Sequence, residues 1–547
     1  MTTFLTKYNW RRISAIVFKM QRLITIAWIN KDYVEVGRLQ RSLIMSYEAR
    51  ILAVRKVVTN SGKGTPGIDN VVWTSHEEAL HVVKRLRDLS KYESIPVRRV
   101  YIPKPGSTDK RPLGIPTMYD RAVQTLMYYA LLPIAEYRAD PRSFGFRPYR
   151  SAKDAIQYIH FVIAKKQYCW VYEADIEKCF DRISHEWLLN NVPLPKHLLH
   201  QVLKSGVIDG DIFLESEIGT PQGGVISPTL SNYCLDGMEK LIPPKCWLVR
   251  YADDFIVITD SKEKLINEVI PKIELFLKER GLKTKESKTR IVNVEDGFDF
   301  LGFNIRTYWA WKRKESGKRV LLIKPSPKKV ESFRWKLREI IKTFGIGSIV
   351  LLIRKLNPIL IGWSNYYKCV VSRRVFSSLD TFLWKTIWRW VRRKHPKIGA
   401  HKLRSQYITR IGGNNNVFFG VDYSGATWRL FQIGWVKIVR HSLCKLDRNV
   451  FLASDQEMDL ARRKANPGLS PAKTTLWNKQ KGLCPVCEQS LLEEELEVHH
   501  VLARKLGGNT KSSTNRLLLH KACHAKVTYN RKPEFIAYLI KKEITKK

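Results

Sequence analysis

The chain has 547 residues, 44% of them apolar and 11% aromatic, and its 95 Lys and Arg against 51 Asp and Glu leave a formal net charge of +44. That length allows three or four domains with cores of their own, and the apolar content excludes a disordered basic tail. A surplus of cations spread over so much of the chain repels itself unless a polyanion neutralises it, and nucleic acid rewards each Lys or Arg with released counterions.

In chain order, residues 1 to about 58 read as amphipathic helices, followed by a turn-rich segment from Asn60 to Asp69. Lys19 and Arg22 interrupt the apolar stretch from Ile13 to Ile29, which excludes a membrane-spanning helix and argues against a secretory signal. On to about residue 310, short β-branched strands alternate with helices, the pattern of an α+β core. From 325 to about 400 Trp, Lys and Arg recur at helical spacing, a basic helical module. Gly412 to Asn416 read as a loop or linker, and after Pro471 a compact Cys/His-rich segment begins. Of nine cysteines, only Cys484, Cys487 and Cys523 have ligand-like spacing. The other six read as buried small apolar residues in a reducing compartment.

The most informative stretch is Tyr251-Ala252-Asp253-Asp254 between the apolar runs 246–250 and 255–259, a hairpin with carboxylates at its tip. Adjacent carboxylates in a tight turn repel, and a divalent cation removes that cost. The strand Trp170 to Ile176 ends on a further acid, Asp175. If the two strands are neighbours, Asp175 and Asp253 can bridge two Mg²⁺ ions about 3.5–4 Å apart, the arrangement of in-line phosphoryl transfer.

This tetrapeptide in its apolar frame resembles the active-site hairpin of reverse transcriptases, and Asp175 with Phe180-Asp181 resembles the first metal-binding motif of that family. The resemblance implies Asp175, Asp253 and Asp254 as catalytic carboxylates, with Ile176 beside Asp175 in the metal set. It implies Phe180 as the ring that stacks under an incoming sugar and selects dNTPs. The segments from Arg99 to Gly106 and from Lys110 to Thr117 look like the fingertip hairpin, where Lys104 and Arg111 would grip the triphosphate. Gly219 to Pro228, with Gln222 at its centre, resembles the motif that positions template and dNTP. There Ser227 is expected to cap a helix whose apolar face is Leu230, Cys234, Met238 and Leu241. Lys288 is the candidate general acid for pyrophosphate.

Thr65 to Asp69, Ser143 to Pro148 and Leu356 to Tyr367 are similar to blocks of group II intron proteins, whose thumb, or maturase, region holds intron RNA. Trp363 itself reads better as a core residue, and the basic clusters Arg373-Arg374 and Arg392 to Lys394 as the RNA-facing charge. At the C-terminus, Cys484, Cys487, His520 and Cys523 form two pairs at the spacing of tetrahedral structural zinc. With His499-His500, Gly507-Gly508, Asn515 and His524 the segment resembles an HNH nuclease finger. That likeness implies His500 as general base oriented with Asn515, and His499 with His524 as ligands of one catalytic Mg²⁺ or Mn²⁺.

The expected fold is therefore multidomain α+β. Fingers and palm of a right-hand polymerase fill 1–310, with an N-terminal helical extension over 1–58. A helical thumb fills 311–400, a DNA-binding region and linker 401–470, and a ββα-metal HNH domain 471–547. The expected function is that of a group II intron-encoded protein: RNA-directed DNA synthesis, assistance to splicing, and a nick in target DNA that primes reverse transcription. The alternatives are a splicing-only RNA-binding maturase, and a retron or defence reverse transcriptase with a fused nuclease. Partners would be intron RNA, target DNA and dNTPs in a ribonucleoprotein with no membrane, inside a bacterial cytoplasm or an organelle.

Overall fold

The computed structural model describes residues 2–103, 110–166, 169–309, 319–345, 347–411, 414–466, 469–492, 495–502, 509 and 512–529. Lys104 and Gly507-Gly508 lie outside the described residues, as do Gly412 and Gly413.

A short helix, Thr2–Lys7, is followed by the helices Trp10–Ile29, Tyr33–Met45 and Tyr47–Thr59, each of these three capped by a side-chain oxygen, from Asn9, Asp32 and Ser46 respectively. Sixteen strands follow among the described residues: β1 (Val97–Pro103), β2 (Lys110–Ile115), β3 (Trp170–Asp175), β4 (Val207–Asp209), β5 (Ile212–Leu214), β6 (Trp247–Tyr251), β7 (Asp254–Thr259) and β8 (Arg290–Asn293) make up the first half. The second half comprises β9 (Phe298–Phe300), β10 (Phe303–Trp309), β11 (Arg319–Pro325), β12 (Ile408–Ile411), β13 (Asn414–Val421), β14 (Thr427–Arg429), β15 (Leu496–His500) and β16 (Arg516–His520). The central sheet runs β6-β7-β3-β8 and an outer one β2-β1-β4-β5, while β11-β10-β9, β12-β13-β14 and β15-β16 are small.

The central sheet separates two apolar cores because its strands are buried on both faces. Tyr172, Leu248, Phe255 and Val257 join the N-terminal helices on one side. Val171, Val249, Ile256 and Ile258 face the helix Ala152–Lys166, the β9–β11 sheet and three long helices, Pro327–Thr343, Ile349–Tyr367 and Arg373–Lys394, on the other. Trp363 belongs to that second core, stacked on Phe333 at 4.7 Å and 11°. No helix among the described residues is long and apolar enough to cross a membrane.

Four local expectations are corrected. Ser227 is the first residue of its helix (Ser227–Leu235) and not the cap, because its hydroxyl turns back to donate to the Pro221 carbonyl at 2.9 Å. That helix stops before Met238: Asp236 leaves it to pair with the buried Arg250, and Gly237 takes φ +105° with its N–H held by Asp140. Met238 and Leu241 then sit on a separate 3₁₀ turn. Asn414 to Asn416 are strand residues of β13 and no linker. Val417 and Phe418, on opposite faces of that strand, are both fully buried, which outweighs the turn preference of the asparagines. Nor does the rest of 401–470 hang free. The Asn357 side chain bonds the Arg429 and Phe431 backbone, the Asp380 carboxylate accepts from Ile433 and Gly434, and Phe451 stacks on Phe18 at 5.7 Å. Among the six cysteines read as buried, Cys169 and Cys369 are only half-buried.

Candidate active sites

Two acidic strands meet because β3 and β7 pair antiparallel in a register that sets Asp175 directly opposite Asp254. β6 and β7 form a hairpin closed at Tyr251↔Asp254, so Ala252 and Asp253 are its two-residue tip, with Ala252 at φ +58°. The carboxyl of Asp254 is pushed up to about 7, by withdrawal from water first and then by repulsion from Asp253 and Asp175, although part of the residue faces solvent. Asp253 is raised by burial and again by Asp175, and the Arg111 and Lys288 charges oppose the rise. Lys288 Nζ donates to Asp175 Oδ2 at 2.6 Å. Three converging acids, two of them pushed upward by burial and mutual repulsion, that recruit an ammonium fit a divalent cation site.

Ile176 has a buried side chain, so only its main chain can face a cation. Its bridge to Thr284 is carried by the flanking bonds from Glu177 N to Lys283 O and from Lys285 N to Asp175 O, which leaves the Ile176 carbonyl outside that ladder.

The hairpin rests on a support that sequence reading did not single out residue by residue. Ser143 and Arg250 form a parallel bridge that lays Gly145 against the hairpin tip. A Cβ on Gly145 would sit 2.4 Å from the Ala252 nitrogen. Arg250, fully buried, ion-pairs with Asp236 and donates to Asn232 Oδ1 (3.1 Å) and the Ala252 carbonyl (3.3 Å), while Asn232 Nδ2 donates to Gly145 O at 2.8 Å. An arginine in the middle of an apolar strand was the available signal, since a buried guanidinium requires partners. Gly145→Ala is expected to shift the tip and lower the polymerisation rate about tenfold to a hundredfold with the fold retained, as a displaced reacting group does. Primer extension alongside circular dichroism checks it, and an unchanged rate counts against the close fit.

Phe180 stands half-buried, edge-on to Phe146 at 6.3 Å. Gly219, at φ +84°, lies where a Cβ would meet the Asp181 carbonyl at 2.6 Å. Thr220 N donates to Phe180 O at 2.6 Å, so the 219–224 loop is locked to the segment after β3. Gln222 Nε2 reaches Asp181 Oδ1 at 3.4 Å, and its carbonyl accepts from Gly114 N at 2.7 Å, tying the loop to β2 and hence to the strand of the exposed Arg111. Lys104 falls outside the described residues.

The acid cluster has a pH signature. Asp254 is raised from an ordinary value of about 3.9, so between about pH 4 and 7 the folded state binds more protons than the unfolded one, and stability falls as pH rises through that window. Without Mg²⁺, Asp254→Asn is therefore expected to melt higher than wild type at pH 8, by about 2 °C after allowing for solvent screening, with no gain at pH 4. Mg²⁺ should close the gap at pH 8. Thermal melts at the two pH values, with and without Mg²⁺, decide the matter, and a gain confined to pH 4 would contradict the crowding.

The C-terminal segment is built from β15, β16 and the helix Lys521–Tyr529. Cys484, Cys487, His520 and Cys523 are all buried, and their ligand atoms lie within 4.8 Å of one another. His520 Nε2 is held by the Ser490 carbonyl at 3.0 Å, which turns Nδ1 towards the Cys487 and Cys523 sulfurs at 3.3 and 3.9 Å. Four inward ligands with the imidazole tautomer fixed from outside suit tetrahedral zinc.

His499 and His524 face each other at 5.3 Å between ring centres. Burial, then His524 and His500, hold His499 down to about 4, so it is neutral at physiological pH, as a metal ligand must be. Glu497 accepts from His524 Nδ1 at 2.6 Å. It escaped the sequence reading, although two residues before His499 on a strand places it on the same face. Asn515 bonds the backbone of Leu502 at both amide atoms (2.7 and 3.1 Å) and of Asn509 (3.0 Å). Its amide thus ties the backbone of Leu502, two residues beyond His500, to that of Asn509.

Family models match four stretches of the chain: the N-terminal domain of reverse transcriptase over residues 6–86, reverse transcriptase (RNA-dependent DNA polymerase) over 102–305, the group II intron maturase-specific domain over 330–408, and HNH endonuclease over 484–530. Protein YkfC of Escherichia coli is 32% identical over 340 residues, 53% of this chain and 88% of that protein. The group II intron-encoded protein LtrA of Lactococcus lactis is 27% identical over 354 residues, 51% of this chain and 58% of LtrA. An uncharacterized 91 kDa protein in the cob intron of Schizosaccharomyces pombe is 24% identical over 598 residues, 90% of this chain and 70% of that protein.

Proposed function

We propose a three-part function from the premise that this chain belongs to the group II intron-encoded proteins, with reverse transcriptase, maturase-specific and HNH endonuclease domains. It copies RNA into DNA, holds intron RNA in a splicing-competent form, and nicks a DNA strand whose freed 3′-hydroxyl primes the copy. The observation that carries this reading is the cross-strand pair Asp175↔Asp254 with Asp253 at the hairpin tip.

In the polymerase, Asp175 and Asp253, with the Ile176 carbonyl, would hold two Mg²⁺ ions, and Asp254 flanks them. Bound there, the ions supply charge neutralisation at the primer hydroxyl and at the departing pyrophosphate. Arg111 offers a planar fork to the triphosphate, with Lys104 as a point charge. The Phe180 ring closes the floor where a ribose 2′-hydroxyl would sit, and Gln222 positions the templating side. Lys288, already on Asp175, would hand a proton to the leaving phosphate. The central and outer sheets act as palm and fingers, and the three long helices as a thumb whose Arg and Lys rows meet intron RNA phosphates. In the nuclease, His500 takes a proton from water and Asn515 holds the backbone of Leu502 two residues beyond it. His499 and His524 would hold one Mg²⁺ or Mn²⁺, with Glu497 steadying His524.

The test supplies the protein with intron RNA and a DNA duplex carrying the insertion site. The expected product is a nicked strand extended by a copy of the RNA. Splicing accelerated by the protein, with no nick and no extension, would reduce the reading to an RNA-holding cofactor.

A further inference from the structure

A cavity of about 460 Å³ opens on the far side of the helix Ala152–Lys166, roofed by β11, the turn joining helices Ile349–Tyr367 and Arg373–Lys394, and the returning segment at 438–441. We propose that it is a nucleotide pocket, taking one unpaired nucleotide of a nucleic-acid strand at a site separate from the polymerase and nuclease centres.

The helix turns one stripe of polar side chains into this space. Lys153, Gln157 and His160 are spaced i, i+4 and i+7 and all line it. The fold makes little use of them: among the described residues neither Lys153 nor Gln157 has a hydrogen bond or ion pair, and His160 only accepts from Arg440 at 3.4 Å. Half-buried at the cavity wall and tied to no hydrogen-bond acceptor among the described residues, a lysine and an amide there are free to take a partner from outside the chain. The only carboxylate on this stretch of helix, Asp154, is already taken by His441 and the Cys444 backbone, so it cannot neutralise Lys153 or Arg440.

The walls between these groups are apolar, with Ile156, Ile323 and Val370 buried. The size falls in the range of small-ligand pockets, on the order of 300–1,000 Å³. An apolar slot suits the flat face of a base, the Gln157 amide can pair donor and acceptor with a base edge, and Lys153 and Arg440 at the mouth suit the attached phosphate. With Nε2 accepting, His160 keeps a proton on Nδ1 as a further donor. Bare inorganic phosphate would leave the apolar walls and the amide unused, and the chain's +44 charge points to a polynucleotide as the source.

The experiment measures binding of the full-length protein to single-stranded RNA and DNA oligonucleotides of about a dozen residues, without added Mg²⁺ and across a salt series. Four variants are compared: Lys153→Glu, Gln157→Ala, Val320→Trp, which fills the cavity from its exposed rim, and Lys272→Glu, an exposed lysine elsewhere, as control. Lys153→Glu is expected to weaken binding about tenfold and lower the salt slope by about one, beyond the control. Gln157→Ala should keep the slope but flatten the preference among homopolymers, and Val320→Trp should weaken binding. Whichever oligonucleotide suffers identifies the strand. The proposal is overturned if Lys153→Glu behaves like the control, or if Gln157→Ala and Val320→Trp both leave preference and affinity unchanged. No polymerisation is measured, so this outcome is independent of the carboxylate assignment.

Discussion

Asp253→Ala is expected to lower primer extension at least about a thousandfold and to leave DNA nicking intact. The charge stabilisation that a held cation supplies is worth several kcal/mol, and each 1.36 kcal/mol is a factor of ten in rate. Asp253 sits at the hairpin tip next to Asp254, which faces Asp175 across the strands, so no other described acid occupies its position. The loss should not be a folding defect. Asp253 is already raised by burial and by repulsion, so removing it relieves the folded state. Extension assays beside a melting curve separate the two explanations. Extension at wild-type speed would dismantle the metal centre, and a collapsed melt would point to structure.

The second large effect concerns the C-terminal metal knuckle. Cys484→Ser, or zinc withdrawal, is expected to abolish nicking, because zinc binding by small fingers is worth about 10–16 kcal/mol of folding free energy. Elemental analysis should find one zinc per wild-type chain and none in the variant, with new protease cleavage after residue 470 and near the N-terminal residues packed against it. Primer extension should change no more than a few-fold, since the acid cluster lies on strands of another sheet. Full zinc retention in the variant would mean that Cys484 is no ligand.

Much of this was legible because the chemistry is concentrated in short words of sequence. Tyr251 to Asp254 and the knuckle Cys484-Pro485-Val486-Cys487 each carry their geometry within a few residues. The supports were harder to read because they are distant in sequence: Gly145, Asn232, Asp236 and Arg250 converge only after the chain has crossed the sheet. The helix after Pro228 was read as too long for a related reason. Its apolar spacing continued, but a buried ion pair at Asp236 ended it, and periodicity carries no trace of a partner fourteen residues away. In the 401–470 stretch, glycine and asparagine signalled a loop, and a strand formed because Val417 and Phe418 found a core to enter.

The short helix Thr2–Lys7 packs against Lys521–Tyr529, and Phe4 with Leu517, Leu518 and Leu519 joins a single apolar core. Arg11 pairs with Glu488 at 2.9 Å across the same seam. Ribosomes make the covered side of this seam first and its cover last, at about 5–20 residues per second. For the tens of seconds in between, a nascent chain carries Phe4 and its neighbours without their cap. A chaperone that shields apolar surface during synthesis should therefore be held longest on chains halted before residue 484.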